Sequence, residues 1–282
     1  MLLVKATKDF EAGVLPDETM LQKMATYTEE LVKAGALVGC ERLQPSATAK
    51  RVHYANGKIT VTDGPFAETK ELLAGFSMIE ARSLKEAIEW ARRIPFEDGE
   101  VEVRPLFELT DFPVDAAEQP DGWRDKEEQM RATAPPRRPG TVRYIGLVKA
   151  DKDTEAGKMP DEKSLAAMGA FMETGIKAGV FLGGEGLQPT SKSARVRFAG
   201  AQRLVTDGPF PETKELIGGY AMLQFKSPAE ALEWTKRFVE VDAACRLNQE
   251  CECEIRPLFE FENFEPSAAI DRFRNLEIGG QK

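Results

Sequence analysis

A carboxylate beside a bend, an arginine on a strand and a lone histidine are the side chains of this chain best placed for chemistry. Thr62-Asp63-Gly64-Pro65-Phe66 returns as Thr206-Asp207-Gly208-Pro209-Phe210. A carboxylate at such a strand end, Asp63 or Asp207, can hold a cation or a hydroxyl, or take a proton as a base. The same five residues are also what a tight turn requires. Asp accepts bonds from backbone amides two residues on, Gly permits the bend and Pro fixes the next torsion. Phe66 and Phe210 then anchor the turn in the core. Turn physics accounts for every residue of the motif, so the structural reading is favoured.

Arg51 and Arg195 occupy matching strand positions. Either could clamp a carboxylate or phosphate, or simply face solvent. Strand alternation puts Val52 and Tyr54 on one face and Arg51 and His53 on the other. His53 is the only histidine, and its counterpart is Arg197. An imidazole can titrate near neutrality, but the repeated unit does without it, so His53 reads as a surface residue. Glu41 and Glu185 also match, as do Glu68 with Glu212 and Lys70 with Lys214. A buried glutamate beside an arginine makes a polar pocket with a perturbed pKa. The ligand-pocket candidates are therefore Glu41, Arg51 and Asp63, with Glu185, Arg195 and Asp207. No catalytic residue is assigned.

Other chemistry finds no support. One histidine cannot build a Ser-His-Asp set twice. Gly183-Gly184-Glu185-Gly186 lacks the lysine and helix context of a phosphate loop. Cys251 and Cys253 share a strand face, but their spacing matches no familiar zinc pattern, and they read as inward-facing residues. Neither metal nor cofactor is expected. The 282 residues carry a net charge of −9 and only 38 Lys and Arg against 47 Asp and Glu. That balance speaks against nucleic acid and against anionic membranes. No apolar run reaches the length of a membrane span. The opening Met1-Leu2-Leu3-Val4-Lys5 reads as a strand, not a signal peptide. The expected setting is the cytoplasm, and the open partner classes are a small-molecule ligand and a homodimer.

The repeated turn is the peak of a duplication. Glu11-Ala12-Gly13 meets Glu155-Ala156-Gly157, Leu43-Gln44-Pro45 meets Leu187-Gln188-Pro189, and Trp90 meets Trp234. The second copy then gains a short insertion around Asp242 to Gln249. The register returns at Arg104-Pro105-Leu106-Phe107-Glu108 and Arg256-Pro257-Leu258-Phe259-Glu260. Two long copies mean two units, 1–112 and 141–264, rather than a solenoid. Residues 113–140 read as a Pro-rich and charged linker with a short helix over Trp123 to Ala132, and 265–282 as a tail whose Ser267 to Leu276 is its counterpart.

Each unit has the same elements. Leu2 to Ala6, or Arg143 to Ala150, is an apolar strand. A helix starts at the cap Asp17 or Asp161 and carries Leu21, Met24 and Leu31, or Leu165, Met168 and Met172, at helical spacing. Arg51–Ala55 and Lys58–Thr62 form a hairpin about Asn56-Gly57. A strand runs from Leu73 to Ala81. A second helix starts at Ser83 or at Ser227-Pro228 and buries Trp90 or Trp234. A last strand covers Val101 to Leu109, or Cys251 to Phe261. Strand, helix, two or three strands, helix and strand make an α+β unit of the ferredoxin-like kind. Its bare sheet face needs cover, and the second copy supplies it. The expectation is an intramolecular pseudo-dimer of antiparallel sheets, of the α+β barrel type.

These residues carry a resemblance. Gly39-Cys40-Glu41-Arg42-Leu43-Gln44-Pro45, Arg51-Val52, the Asp-Gly-Pro-Phe-Ala-Glu-Thr-Lys-Glu stretch, Glu89-Trp90-Ala91 and Val103-Arg104-Pro105 resemble the YCII-related family, in its DGPF branch, in tandem. The resemblance implies ferredoxin-like units with barrel-type pairing. It implies no established reaction, and for some members an association with sigma factors. Better-known members carry a His on the first helix and an Asp at the end of the second. Here those positions read Met24, Met168 and Ile94. The expected function is small-molecule binding or regulation. The alternatives are a cofactor-free barrel enzyme and a partner of a sigma-type factor.

Overall fold

A computed structural model describes residues 1–67, 72–108, 111, 137–211 and 216–276. Glu68, Lys70, Glu212, Lys214 and the expected helix over Trp123 to Ala132 lie outside these residues.

The first copy contributes β1 (Leu2–Lys5), α1 (Lys8–Glu11), α2 (Glu18–Lys33), β2 (Leu37–Arg42), β3 (Lys50–Ala55), β4 (Lys58–Asp63), β5 (Leu73–Ile79), α3 (Leu84–Arg92) and β6 (Asp98–Val103). The second contributes β7 (Val142–Lys149), α4 (Lys152–Glu155), α5 (Glu162–Lys177), β8 (Phe181–Gly186), β9 (Ala194–Ala199), β10 (Gln202–Asp207), β11 (Ile217–Phe225), α6 (Pro228–Ala244) and β12 (Cys251–Pro257). The tail forms α7 (Ala268–Asn275).

The helix starts follow from their caps. Asp17 and Asp161 accept from the amides of Met20 and Ser164, and Ser83 and Ser227 from those of Glu86 and Glu230. Each satisfies an amide that the first helical turn leaves without a partner. The β3–β4 hairpin closes on Asn56 and Gly57, both at positive φ, as its two-residue turn demands. Among the described residues, four strands, not two or three, lie between the two longer helices of each copy. The extra one, β2 or β8, shows no apolar–polar alternation, and β8 is half glycine, so its pattern is silent.

Within each sheet, β6-β1-β5-β2 and β12-β7-β11-β8 give the ferredoxin-like core order. The hairpins depart from the expectation. β3 pairs antiparallel with β12, and β9 with β6. Each copy lends its hairpin to the other copy's sheet, which makes two six-stranded sheets. The sheets remain open, with β10 and β2 at the edges of one and β4 and β8 at the edges of the other. They do not close into a barrel.

The exchange follows from where the apolar hairpin face finds cover. Val52 packs with Val239, Ala243, Cys251 and Cys253 under α6. Val196 and Phe198 pack with Tyr27, Leu31, Ala91 and Val101 of the first copy. Val52 and Phe198 are fully buried, and each such side chain is worth about 1.5–3 kcal/mol over an exposed one. The insertion begins in the last turn of a longer helix, α6 at 17 residues against 9 for α3, and continues as a turn over 245–249. Arg246 pins its end to Asp242 at 2.5 Å and Asp151 at 3.2 Å. Between the sheets lies an apolar centre that includes Leu3, Leu43, Phe76, Ile145, Leu187, Tyr220 and Leu258.

Candidate functional site

Backbone contact dictates the Asp-Gly-Pro-Phe turn. The Gly64 amide donates to the Ala49 carbonyl at 3.1 Å, and Gly208 to Ser193 at 2.9 Å. A β-carbon on Gly64 would stand 1.8 Å from the Ser46 carbonyl oxygen, and one on Gly208 the same distance from that of Thr190. Only glycine fits so close an approach. Both Gly–Pro peptides are cis. The Phe66 amide then donates to Ser46 Oγ at 3.2 Å, and Phe210 to Thr190 Oγ1 at 3.4 Å. Glu11 accepts from the Ser46 amide and hydroxyl, and Glu155 from those of Thr190. Both rings are buried.

Each ring carries an arginine. The Arg51 guanidinium lies 4.0 Å from the centre of Phe66, and Arg195 the same distance from Phe210. Across the exchanged strand pair, Arg51 Nε meets Glu254 Oε2 at 3.2 Å. Glu254 also pairs with Arg256, and Arg256 lies 3.9 Å from Glu11. The second copy repeats the pattern. Arg195 meets Glu102 at 3.0 Å, Arg104 meets Glu102 at 2.8 Å and Glu155 at 3.6 Å, and Lys5 meets Glu102 at 3.2 Å. Burial opposes ionisation of Glu102, yet Lys5, Arg104 and Arg195 together hold its carboxyl down at about 2. Burial likewise opposes ionisation of Glu254, and Arg256, Lys149 and Arg51 keep its carboxyl below the usual range. Opposite charges at this range favour the ionised form more than burial disfavours it.

A cleft of about 240 Å³ opens on the free side of the first hairpin, lined by Arg51, His53, Thr62, Pro65, Phe66, Ala67 and Glu252. The first six belong to the first copy and Glu252 to the second. The structure does not bring Glu41, Arg51 and Asp63 together here. Glu41, on β2, pairs with Arg143, which also meets Glu260 at 2.9 Å. Glu185 accepts the Tyr220 hydroxyl at 3.0 Å. Asp63 is exposed and pairs with Lys50, its cross-strand partner. Strand alternation turns Asp63 to the face opposite Arg51 and Thr62. Asp207 is also exposed and stands opposite Ala194.

Sequence reasoning misplaced one residue and passed over three. His53 is half-buried and lines the cleft rather than the outer surface. Glu252, Glu254 and Glu102 were not singled out, although Cys-Glu-Cys-Glu and Val-Glu-Val-Arg alternate as strands do. Their meeting with Arg51 and Arg195 depends on the hairpin exchange. Met24 and Ile94 pack in the helix-side core of the first copy.

The YCII-related domain model matches residues 1–110 and again 142–257. The chain belongs to the YCII-related family. Its two YCII-related units are the two copies described above. An uncharacterized protein of Rhizobium meliloti (strain 1021) is 40% identical over 93 residues, which is 32% of this chain and 75% of that protein. That relative matches a stretch shorter than one YCII-related unit and brings no activity with it.

Proposed function

We propose that the chain binds a small polar molecule beside its Asp-Gly-Pro-Phe turns and acts as a binding or regulatory protein. The observation that carries this reading is the first cleft, where Arg51, His53 and Thr62 of one copy converge with Glu252 of the other over the Phe66 wall. A concave site with an aromatic wall and a few convergent polar groups is what small-molecule recognition uses. Of the six sequence candidates, Arg51 and Arg195 enter this reading. Glu41 and Asp63 serve the scaffold, through Arg143 and Lys50. The apolar packing of Met24 and Ile94 argues against proton transfer at the helix positions where other family members carry polar residues. The two turns support a place in the DGPF branch, and four unbridged cysteines support a reducing cytoplasm.

A thermal-shift and NMR screen of the full chain against small polar metabolites tests the reading. A binder should perturb the amides of Thr62 and Phe66, and Arg51→Lys should weaken it at least about tenfold, because lysine lacks the planar fork. A screen without any binder at either turn, or with binders indifferent to Arg51→Lys, overturns it.

A further inference from the structure

The two turn sites carry the same charges with one exception. Around Arg51 and the first cleft, three cations, Arg51, Lys149 and Arg256, accompany three carboxylates, Glu11, Glu252 and Glu254. In the second copy Arg195, Lys5 and Arg104 accompany Glu155, Glu100 and Glu102. The exception is the residue across from the outer glutamate. His53 pairs in register with Glu252, and Arg197 with Glu100. Among the described residues the second site therefore holds one surplus positive charge at every working pH. The first holds it only when the imidazole is protonated.

We infer that both sites take the same ligand class, a small molecule bearing a carboxylate-type oxyanion, and that the first site takes it together with a proton on His53. This rests on the binding reading above and names its ligand class and its specificity-determining pair, His53 and Arg197. The neighbours of His53 support the assignment. Its own strand offers Arg51, β12 offers Glu252 and Glu254, β4 offers the uncharged Thr60 and Thr62, and the turn offers Pro65, Phe66 and Ala67. The α6 helix packs on the opposite face, against Val52. Histidine is the side chain of this set whose ordinary titration falls between about pH 5 and 8. An anion entering the first cleft adds one negative charge to a balanced set, and proton uptake by His53 restores the balance. At the second site Arg197 already supplies that charge.

The chain has a single histidine, so one imidazole resonance reports on the first cleft. The full-length protein is titrated with acetate at constant ionic strength, at several values from about pH 5 to 8.5. Acetate should raise the imidazole titration midpoint. Its apparent affinity, read on the Phe66 amide, should fall about tenfold per pH unit above that midpoint, as one linked proton requires. The response at the Phe210 amide should not depend on pH. In His53→Arg the Phe66 response should lose its pH dependence and match Phe210, while the distant amides of Gly183 and Gly184 report an intact fold. If acetate shifts Phe66 equally at both ends of the range and leaves the imidazole midpoint unmoved, the proton linkage is wrong and the binding reading survives. If neither Phe66 nor Phe210 responds to acetate, the oxyanion assignment is wrong, and the metabolite screen alone decides whether the sites bind anything.

Discussion

Each turn phenylalanine lies beneath a guanidinium that also faces a buried glutamate, so the turn and the charge network stabilise one another. The buried carboxylates are the sensitive members. Glu102 falls from an ordinary value of 4.5 to about 2 in the folded chain. Below about pH 4.5 the unfolded chain takes up its proton first, so the contribution of Glu102 is whole above that value and is lost as the pH falls towards 2. Urea unfolding from about pH 6 down to 2.5 should show this loss, and Glu102→Gln should flatten the slope. The substitution also leaves Lys5, Arg104 and Arg195 without their shared partner, at a cost of about 3–5 kcal/mol. The glycine of the turn is equally constrained. Gly64→Ala places a carbon against the Ser46 carbonyl and should cost about 3 kcal/mol or more, the upper range for overpacking, read as a drop in the denaturation midpoint. An unchanged midpoint would show that the turn can open without loss.

At the scale of elements, the exchanged hairpins decide which copy a substitution harms. Phe198 belongs to the second copy but is buried against the helices of the first. Phe198→Ala should cost about 3–5 kcal/mol, and hydrogen exchange should quicken in α2 and α3 before it does in α5. Loss confined to α5 and α6 would contradict the exchange. The long helices, their caps and the Asn56-Gly57 hairpin were legible in the sequence because each rests on local chemistry: a capping oxygen, a 3.6 period, a two-residue turn; the one-turn helices α1 and α4 are too short to show a period. The turn residues were legible for the same reason, and the structure adds the close approach that makes Gly64 obligatory. Strand β2 was not, because Gly39, Cys40 and Glu41 give no alternation. His53 and Glu252 were not, because the two meet only when β3 crosses to β12. Pattern reports which residues share a face, and not which distant strand lies beside them.

At the scale of the whole molecule, two sheets share an apolar centre and trade one hairpin each. A chain cut within residues 113–136 by an engineered protease site should therefore stay together. Both fragments should elute as one species of unchanged size at micromolar concentration, and separate only in denaturant. Fragments that part in native buffer would show that the exchange contributes little to association. The tail adds a further clasp on one side. Arg272 reaches Glu29 and Gln22 on α2 at 2.7 and 2.6 Å, and the Ala269 amide meets Glu18 at 3.2 Å. Removing α7 should expose the α2 face and lower the melting temperature of the first half without touching the charged network around Arg51.

The trade of hairpins also sets what can be inherited piecemeal. Either turn site is assembled from an arginine of one copy and glutamates of the other. A recombination that replaced one copy with a relative's unit would rewrite one wall of both sites at once. The lineage can alter either pocket by point changes such as the one separating His53 from Arg197, but it cannot exchange a pocket whole.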